Sequence, residues 1–537
     1  MRPTPHRLPG RPAAATALAA AALLASACGS DSSASGSGTP VQGGTLTFAV
    51  GSDLGCIDPQ QAGSNDTIYS LRQIVDSLTD QDPASGKIVP WLAQSWTISA
   101  DAREFTFKLR PGVTFSDGSP LNAQAVKDNF DAIPKLGVRA VLGAGYLTGY
   151  AGTTVVDDLT AKVRFKQPNA QFLQATSTFS LAIESSASTK KTPEQKCSQG
   201  VSGSGPFTIS SYTAGQSTAL ARRSGYNWGS SLWKKKGEAY LAKAVFKVVP
   251  EAGVRTGSLQ SGQVDAIGAV GLADESALKG AGVRLQSRAN PGVVFGISLN
   301  NSRPVFKDEK VRQALQTSID RAQIASTIFP TGTKQATSVL AHTTPYYTDL
   351  GSALAYDKAK TAAALDAAGW KAGSDGIRQK DGTRLSFELG WFANAATNQP
   401  TLELIQQQLK AVGVEAKLKQ YQIAQLTQVQ QGGQFDALWG NITRADPDIL
   451  RTSYSTKLAN LYRIPVTDLD GLLDKQAATV DTAERAKLVT QAQQEIVQHA
   501  YVLPVVELQT ELGVGKKVHD LAFEASSRIQ LHDTWIG

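Results

Sequence analysis

Two short stretches of this 537-residue chain concentrate the side chains that a polar-ligand pocket needs. The first is Trp391-Phe392-Ala393-Asn394. The second is Trp439-Gly440-Asn441, followed by Arg444-Ala445-Asp446-Pro447-Asp448. Indole faces can cover the body of a small solute and an amide can orient it. A guanidinium and carboxylates can neutralise its charged ends. Trp391, Asn394, Trp439, Asn441, Arg444, Asp446 and Asp448 are therefore the candidate ligand-binding residues. A competing reading places both tryptophans in a sheet core and makes Asp446 the cap of the next helix.

Covalent chemistry has no comparable signature. The G-x-S-x-G elbow, H-E-x-x-H and the phosphate-cradling G-x-x-x-x-G-K-[ST] are all absent. S-x-x-K occurs, as at Ser188–Lys191 and Ser231–Lys234, without the K-T-G and S-D-N partners that would make it catalytic. Beyond residue 28 the histidines are His342, His499, His519 and His532, none at i, i+4 spacing and none near a cysteine. No local zinc site follows from that pattern. No catalytic residue, metal or cofactor is expected.

The two candidate stretches must be held by regular elements. Leu385, Phe387, Leu389 and Trp391 alternate as a strand does, and Leu402, Ile405, Leu409 and Val412 mark a helix. Val414, Ala416 and Leu418 mark a second strand, 422–431 a second helix, and 435–439 a third strand. This βαβαβ order predicts a parallel sheet with right-handed crossovers. Ligands bind beyond the carboxyl ends of such strands, where both stretches fall.

Earlier parts are organised differently. Residues 44–50 alternate as a strand, and 70–78 put Leu71, Ile74, Val75 and Leu78 on one helical face. Residues 105–109, Arg110-Pro111-Gly112 and 113–115 read as a hairpin. Asn122 caps a helix with Val126, Phe130 and Ile133 on its apolar face. Strand 244–249 precedes a helix over 252–260. Asp308 and Asp357 each start a helix.

The first 27 residues stand apart. Arg2, Arg7 and Arg11 precede an uncharged Ala/Leu-rich run over 13–27, which suits a secretory signal better than a membrane span. Leu24-Ala25-Ser26-Ala27-Cys28 resembles the bacterial lipobox, with Ala25 where Leu is usual. Cys28 is thereby the expected lipidated N-terminus. Residues 28–42 read as a flexible polar tether.

The chain carries 53 Lys and Arg against 46 Asp and Glu, a net charge of +7; without the three signal arginines it is +4. The basic residues are scattered, and no nucleic-acid footprint is visible. Cys56 and Cys197 remain once Cys28 is lipidated. In an exported chain they are expected to pair, the alternative being two free buried thiols.

Several segments, in this order and spacing, resemble family 5 of the bacterial extracellular solute-binding proteins, which includes dipeptide-, oligopeptide- and nickel-binding members. They are Val89 to Trp96, Phe105 to Gly112 with Phe115 to Gly118, Gly203-Ser204-Gly205-Pro206-Phe207, Leu259 to Asp265, Val311 to Leu315 with Ile319-Asp320-Arg321, and Ala445 to Asp448. The resemblance covers about 43–520. It implies an α/β, two-lobed, hinged periplasmic-binding fold of type II with an extra β-rich subdomain. Lobe I would comprise 43–78, 200–292 and 495–537, the extra subdomain 79–199 and lobe II 293–494. It also implies a monomeric ABC-importer component on the outer face of the cell membrane, which delivers a peptide to the permease subunits. Asp446, with Asp448 second, would pair with a ligand amino group, and Arg444 with a carboxylate. Residues 441–444 depart from the Gly/Asp-rich version of typical dipeptide binders. A metal chelate, an opine-like amine or a sugar is the alternative cargo, and a surface peptide sensor or a secreted hydrolase an alternative role.

Overall fold

Three larger β-sheets, of seven, five and four strands, organise the described residues, beside smaller sheets of two and three strands. The structure is a computed structural model describing residues 39–537 apart from 141, 393, 394, 423 and 424. The signal segment, Cys28 and Asn394 lie outside the described residues.

The first sheet has seven strands in the order Arg284–Ala289, Gln509–Val514, Ala266–Ile267, Thr45–Val50, Lys243–Val248, Ser217–Arg222 and Phe207–Thr213. Thr45–Val50 lies at its centre, parallel to both neighbours. Leu46, Phe48 and Val50 fall on one face of that strand by its two-residue period and are buried together.

The second sheet has five strands in the order Glu415–Tyr421, Ser386–Phe392, Ala437–Thr443, Gly292–Leu299 and Val502–Val506. The first three are parallel, as the βαβαβ pattern requires, with helices Asn398–Lys410 and Leu426–Gly432 between them. The parallel unit is completed by Gly292–Leu299, which runs antiparallel to Ala437–Thr443 and to Val502–Val506. At Gly292 a Cβ would lie 2.2 Å from the Ile442 carbonyl, so glycine is required for the close approach. The strand expected at 435–439 also extends to Thr443, because Gly292–Leu299 continues to pair with it.

The third sheet is antiparallel, in the order Ala93–Ile98, Glu104–Leu109, Thr160–Phe165 and Tyr150–Asp157. Helix Ala123–Ala132 starts where expected, with Asn122 Oδ1 accepting from the Ala125 N–H at 3.0 Å. Phe105, Phe107, Phe130 and Phe165 all pack around Phe172. The expected hairpin is not formed. Glu104–Leu109 takes its partners from Ala93–Ile98 and Thr160–Phe165, and Thr114 bridges to Pro120 instead.

The helix expected over 70–78 ends early, as Asn65–Leu71. Leu71, Ile74, Val75 and Leu78 are all buried, but the backbone beyond 71 has other partners. Gly205 N–H donates to the Ile74 carbonyl at 3.0 Å and Phe207 N–H to Gln73 at 3.1 Å. These tertiary bonds take carbonyls that a continuing helix would use. Asp308 and Asp357 cap their helices as read, accepting from Lys310 and Lys360 N–H at 3.0 and 2.8 Å. Cys56 and Cys197 are joined by a disulfide spanning 141 residues. The chain returns from the second sheet to the first at 507–508, so 290–291 and 507–508 form two adjacent crossings between them.

Candidate functional site

The carboxyl ends of Ser386–Phe392 and Ala437–Thr443 bring the two candidate stretches to one edge of the second sheet. Trp391 and Trp439 both belong to that sheet's core, 7 % and 3 % exposed. Trp439 stacks on Phe295 with centroids 5.2 Å apart and planes 10° from parallel. Its Nε1–H donates to Asn398 Oδ1 at 3.0 Å. Asn441 is half-buried within its strand, and Asn394 lies outside the described residues.

Asp446 and Asp448 are buried, and both are engaged within the protein. Arg485 donates Nη1–H to Asp446 Oδ2 at 2.9 Å and Nη2–H to Oδ1 at 2.6 Å. Asp446 Oδ1 also accepts from the Asp448 N–H at 2.8 Å, which turns the chain into helix Ile449–Tyr454. Arg451 grips Asp448 through Nε and Nη2 at 2.8 and 2.9 Å. Gln476 joins the two pairs, donating to Asp448 and accepting from Arg485. Burial works against the charge on Arg485, but Asp446 outweighs it, and the guanidinium titrates above its ordinary value. Two carboxylates and two guanidiniums thus form a closed, neutral network.

Arg444 behaves differently. It is 9 % exposed and has no carboxylate partner among the described residues. Its Nη1–H donates to Thr452 Oγ1 at 3.2 Å, and its guanidinium lies over the Tyr146 ring, 4.5 Å from the centroid. Tyr146 belongs to the core of the third sheet, so this contact joins two separate cores. A Cβ on Gly145 would come within 2.8 Å of Arg444 Nη2, so that glycine makes room for the guanidinium.

A third element meets them. Arg528 precedes strand Ile529–Gln530, against the first core, with its guanidinium 5.1 Å over the Phe179 ring. Burial raises the Tyr146 phenol, and Arg444 and Arg528 both oppose it. Burial also raises Tyr69, which Arg528 and Thr510 oppose. The region therefore collects Tyr69 and Arg528 from the first core, Tyr146 from the third and Arg444 from the second. A surface groove of about 840 Å³ near Thr456, Asp468 and Lys475 contains no candidate residue. Nor does a cavity of about 290 Å³ beside the crossings at Arg288, His342 and Glu507.

Sequence reasoning missed Tyr146, Arg485 and Arg528. Arg485 had a signal, since it occupies the position where the apolar stripe Leu488, Val489, Ala492 and Ile496 of helix Thr482–Gln498 would continue. A charge on a buried stripe asks for a buried partner. Arg528, between Ser527 and Ile529, and Tyr146 carried none.

Residues 87–459 match the family model for "Bacterial extracellular solute-binding proteins, family 5 Middle". The chain is 28 % identical over 483 residues to the glutathione-binding protein GsiB of Escherichia coli O1:K1, covering 86 % of this chain and 88 % of that one. Among solved structures it is similar to NikA from Brucella suis in complex with Fe(III)-EDTA, with a TM-score of 0.80 at 23 % identity, covering 92 % of this chain and 100 % of that one. It is also similar to the oligopeptide-binding protein AppA from Bacillus subtilis in complex with a nonapeptide, with a TM-score of 0.76 at 21 % identity, covering 93 % and 100 %. The fold is that of two-lobed periplasmic binding proteins.

Proposed function

Because this chain belongs to the bacterial extracellular solute-binding proteins of family 5, we propose that it captures a peptide between two lobes and delivers it to an ABC permease. The contact of Arg444 with Tyr146 carries the reading. A ligand seated there touches elements built on different sheets, and so favours the closed arrangement over the open one. The crossings at 290–291 and 507–508 act as the hinge. Lobe I is 43–78, 200–289 and 509–537, the extra subdomain 79–199, and lobe II 292–506; the boundary expected at 494–495 moves to the crossing because Val502–Val506 pairs within the second sheet. GsiB and AppA, relatives named for peptides, support peptide cargo. The Fe(III)-EDTA complex of NikA supports a metal chelate as the second reading.

Arg444 meets a ligand carboxylate, and Asn441 lines the approach. Asp446 and Asp448 hold the loop that presents Arg444, and Trp391 and Trp439 form the wall beneath it. No covalent step on the ligand is part of this role. The protein works as a monomer, tethered through lipidated Cys28 to the outer face of the cell membrane. Among the described residues no helix is long and apolar enough to cross a membrane.

Native mass spectrometry of protein purified from its own host tests the cargo. A heterogeneous envelope of peptide masses, lost on mild denaturation, is expected. One sharp non-peptide mass would overturn the peptide reading.

A further inference from the structure

Arg528 is an expensive residue to bury. Its side chain is 6 % exposed, its Nε–H has no acceptor, and among the described residues its guanidinium donates no hydrogen bond. An unpaired buried cation is normally removed or neutralised unless something else receives its donors. Phe179 supports one face of the guanidinium at 5.1 Å but satisfies no N–H.

The carboxylate placed to act on Arg528 is already committed. Glu524 Oε2 accepts from Arg72 Nε–H at 2.8 Å and Oε1 from the Ser526 hydroxyl at 2.5 Å. Burial pulls the Arg528 guanidinium below its ordinary value, with Glu524 opposing. A second donor nearby is also idle. The Thr510 hydroxyl, which acts with Arg528 on Tyr69, donates to Asn290 Oδ1 at 2.8 Å. Asn290 Nδ2 is left buried without an acceptor, and the residue is 3 % exposed. Arg528 and Arg444 both act on Tyr146, and neither has a carboxylate partner among the described residues. The shared surroundings of these residues thus hold two guanidiniums without an ion-pair partner among the described residues and two unfilled donors, Arg528 Nε–H and Asn290 Nδ2–H.

From this we infer that Arg528 receives a carboxylate of the ligand, making a free carboxylate a requirement for tight binding. The inference takes the location of the cleft from the proposed function. The planar fork of the guanidinium suits a carboxylate oxygen pair, and Phe179 covers one of its faces. Arg444 faces the same region from the second core, so a second anionic group on the ligand would be accommodated as well.

The test is retention measured by native mass spectrometry, using the full chain stripped of ligand and then offered an equimolar mixture. The mixture holds tri- and tetrapeptides as free acids, the same peptides as C-terminal amides, and non-peptide dicarboxylates with their diamides. Wild type is expected to retain acids over amides by roughly tenfold or more. Arg528→Gln should abolish that preference, and Arg528→Lys should keep part of it. A melting temperature for Arg528→Gln equal to or above that of wild type is expected, since an unpaired buried cation is removed. If wild type holds amides as well as acids, or if Arg528→Gln keeps the preference, Arg528 is not the receptor, although the peptide reading stands. If wild type takes dicarboxylates and no peptide, and Arg528→Gln loses them, the peptide reading falls and the role of Arg528 stands. If wild type retains no carboxylate-bearing probe, the role of Arg528 falls.

Discussion

Arg485 holds Asp446 through two hydrogen bonds of 2.9 and 2.6 Å, with both side chains under one-tenth exposed. This pair sets the path of the chain between Ala437–Thr443 and Ile449–Tyr454, and so the position from which Arg444 projects. Removing one partner of a buried pair leaves the other charged and unsatisfied, at a cost of about 3–5 kcal/mol. Asp446→Ala is therefore expected to lower the unfolding free energy by that amount, measured by urea denaturation. An unchanged midpoint combined with lost ligand retention would instead make Asp446 a direct ligand group.

Asp76 and Glu511 predict how stability varies with pH. Burial pushes Asp76 up to about 7 against the pull of Arg72, Ser204 and Trp228. Burial, joined by Glu275, pushes Glu511 up to about 7. In the unfolded chain these groups release their protons near 3.8 and 4.5. Between those values and about 7 the folded state holds protons that the unfolded state has lost. Their stabilising share is greatest near pH 4 and falls as pH rises to 7, by about 1.4 kcal/mol per pH unit per proton. Asp76→Asn should gain on wild type steadily from pH 4.5 to 7.5 in urea midpoint. Parallel pH profiles for the two proteins would refute this account of Asp76.

The disulfide should matter because of the length of chain it closes. Cys56 and Cys197 are 141 residues apart, for which loop-closure entropy gives about 5 kcal/mol. The double variant Cys56→Ser, Cys197→Ser should melt several degrees below wild type and be insensitive to reductant, whereas reductant should lower the melting temperature of wild type. Equal melting temperatures would show that the bridge adds no stability.

Glycines give a paired prediction with opposite signs. A Cβ at Gly205 would sit 2.4 Å from the Ile74 carbonyl carbon and 2.6 Å from the Gln73 oxygen, both backbone. Gly205→Ala should cost more than about 3 kcal/mol or prevent folding. Gly253, in helix Ala252–Gln260, has nothing within 4 Å of such a Cβ. Gly253→Ala should add about 0.5–1 kcal/mol. Calorimetric melting of both variants decides the matter.

Elements that rest on local pattern were readable in the chain. Asn122, Asp308 and Asp357 cap helices as read, and the alternation at 385–391 and 414–418 marks parallel strands. Elements decided by distant partners were not. The antiparallel course of Gly292–Leu299 rests on pairing with Ala437–Thr443 and Val502–Val506, far along the chain, and the early end of Asn65–Leu71 on carbonyls bonded by residues 205 and 207. Site residues divide in the same way. Arg444 was nominated from its loop. Nothing near Tyr146 or Arg528 in sequence reveals that they share one region, because they come from different sheets.

The placement of Gln509–Val514 bears on the order of events during biogenesis. This strand lies between Ala266–Ile267 and Arg284–Ala289, both made much earlier. A chain synthesised and exported from its N-terminus cannot complete its first sheet until residues 509–514 emerge. The nascent chain must therefore wait with that sheet open, and a message cut short before codon 509 would yield an aggregation-prone polypeptide instead of a smaller working one.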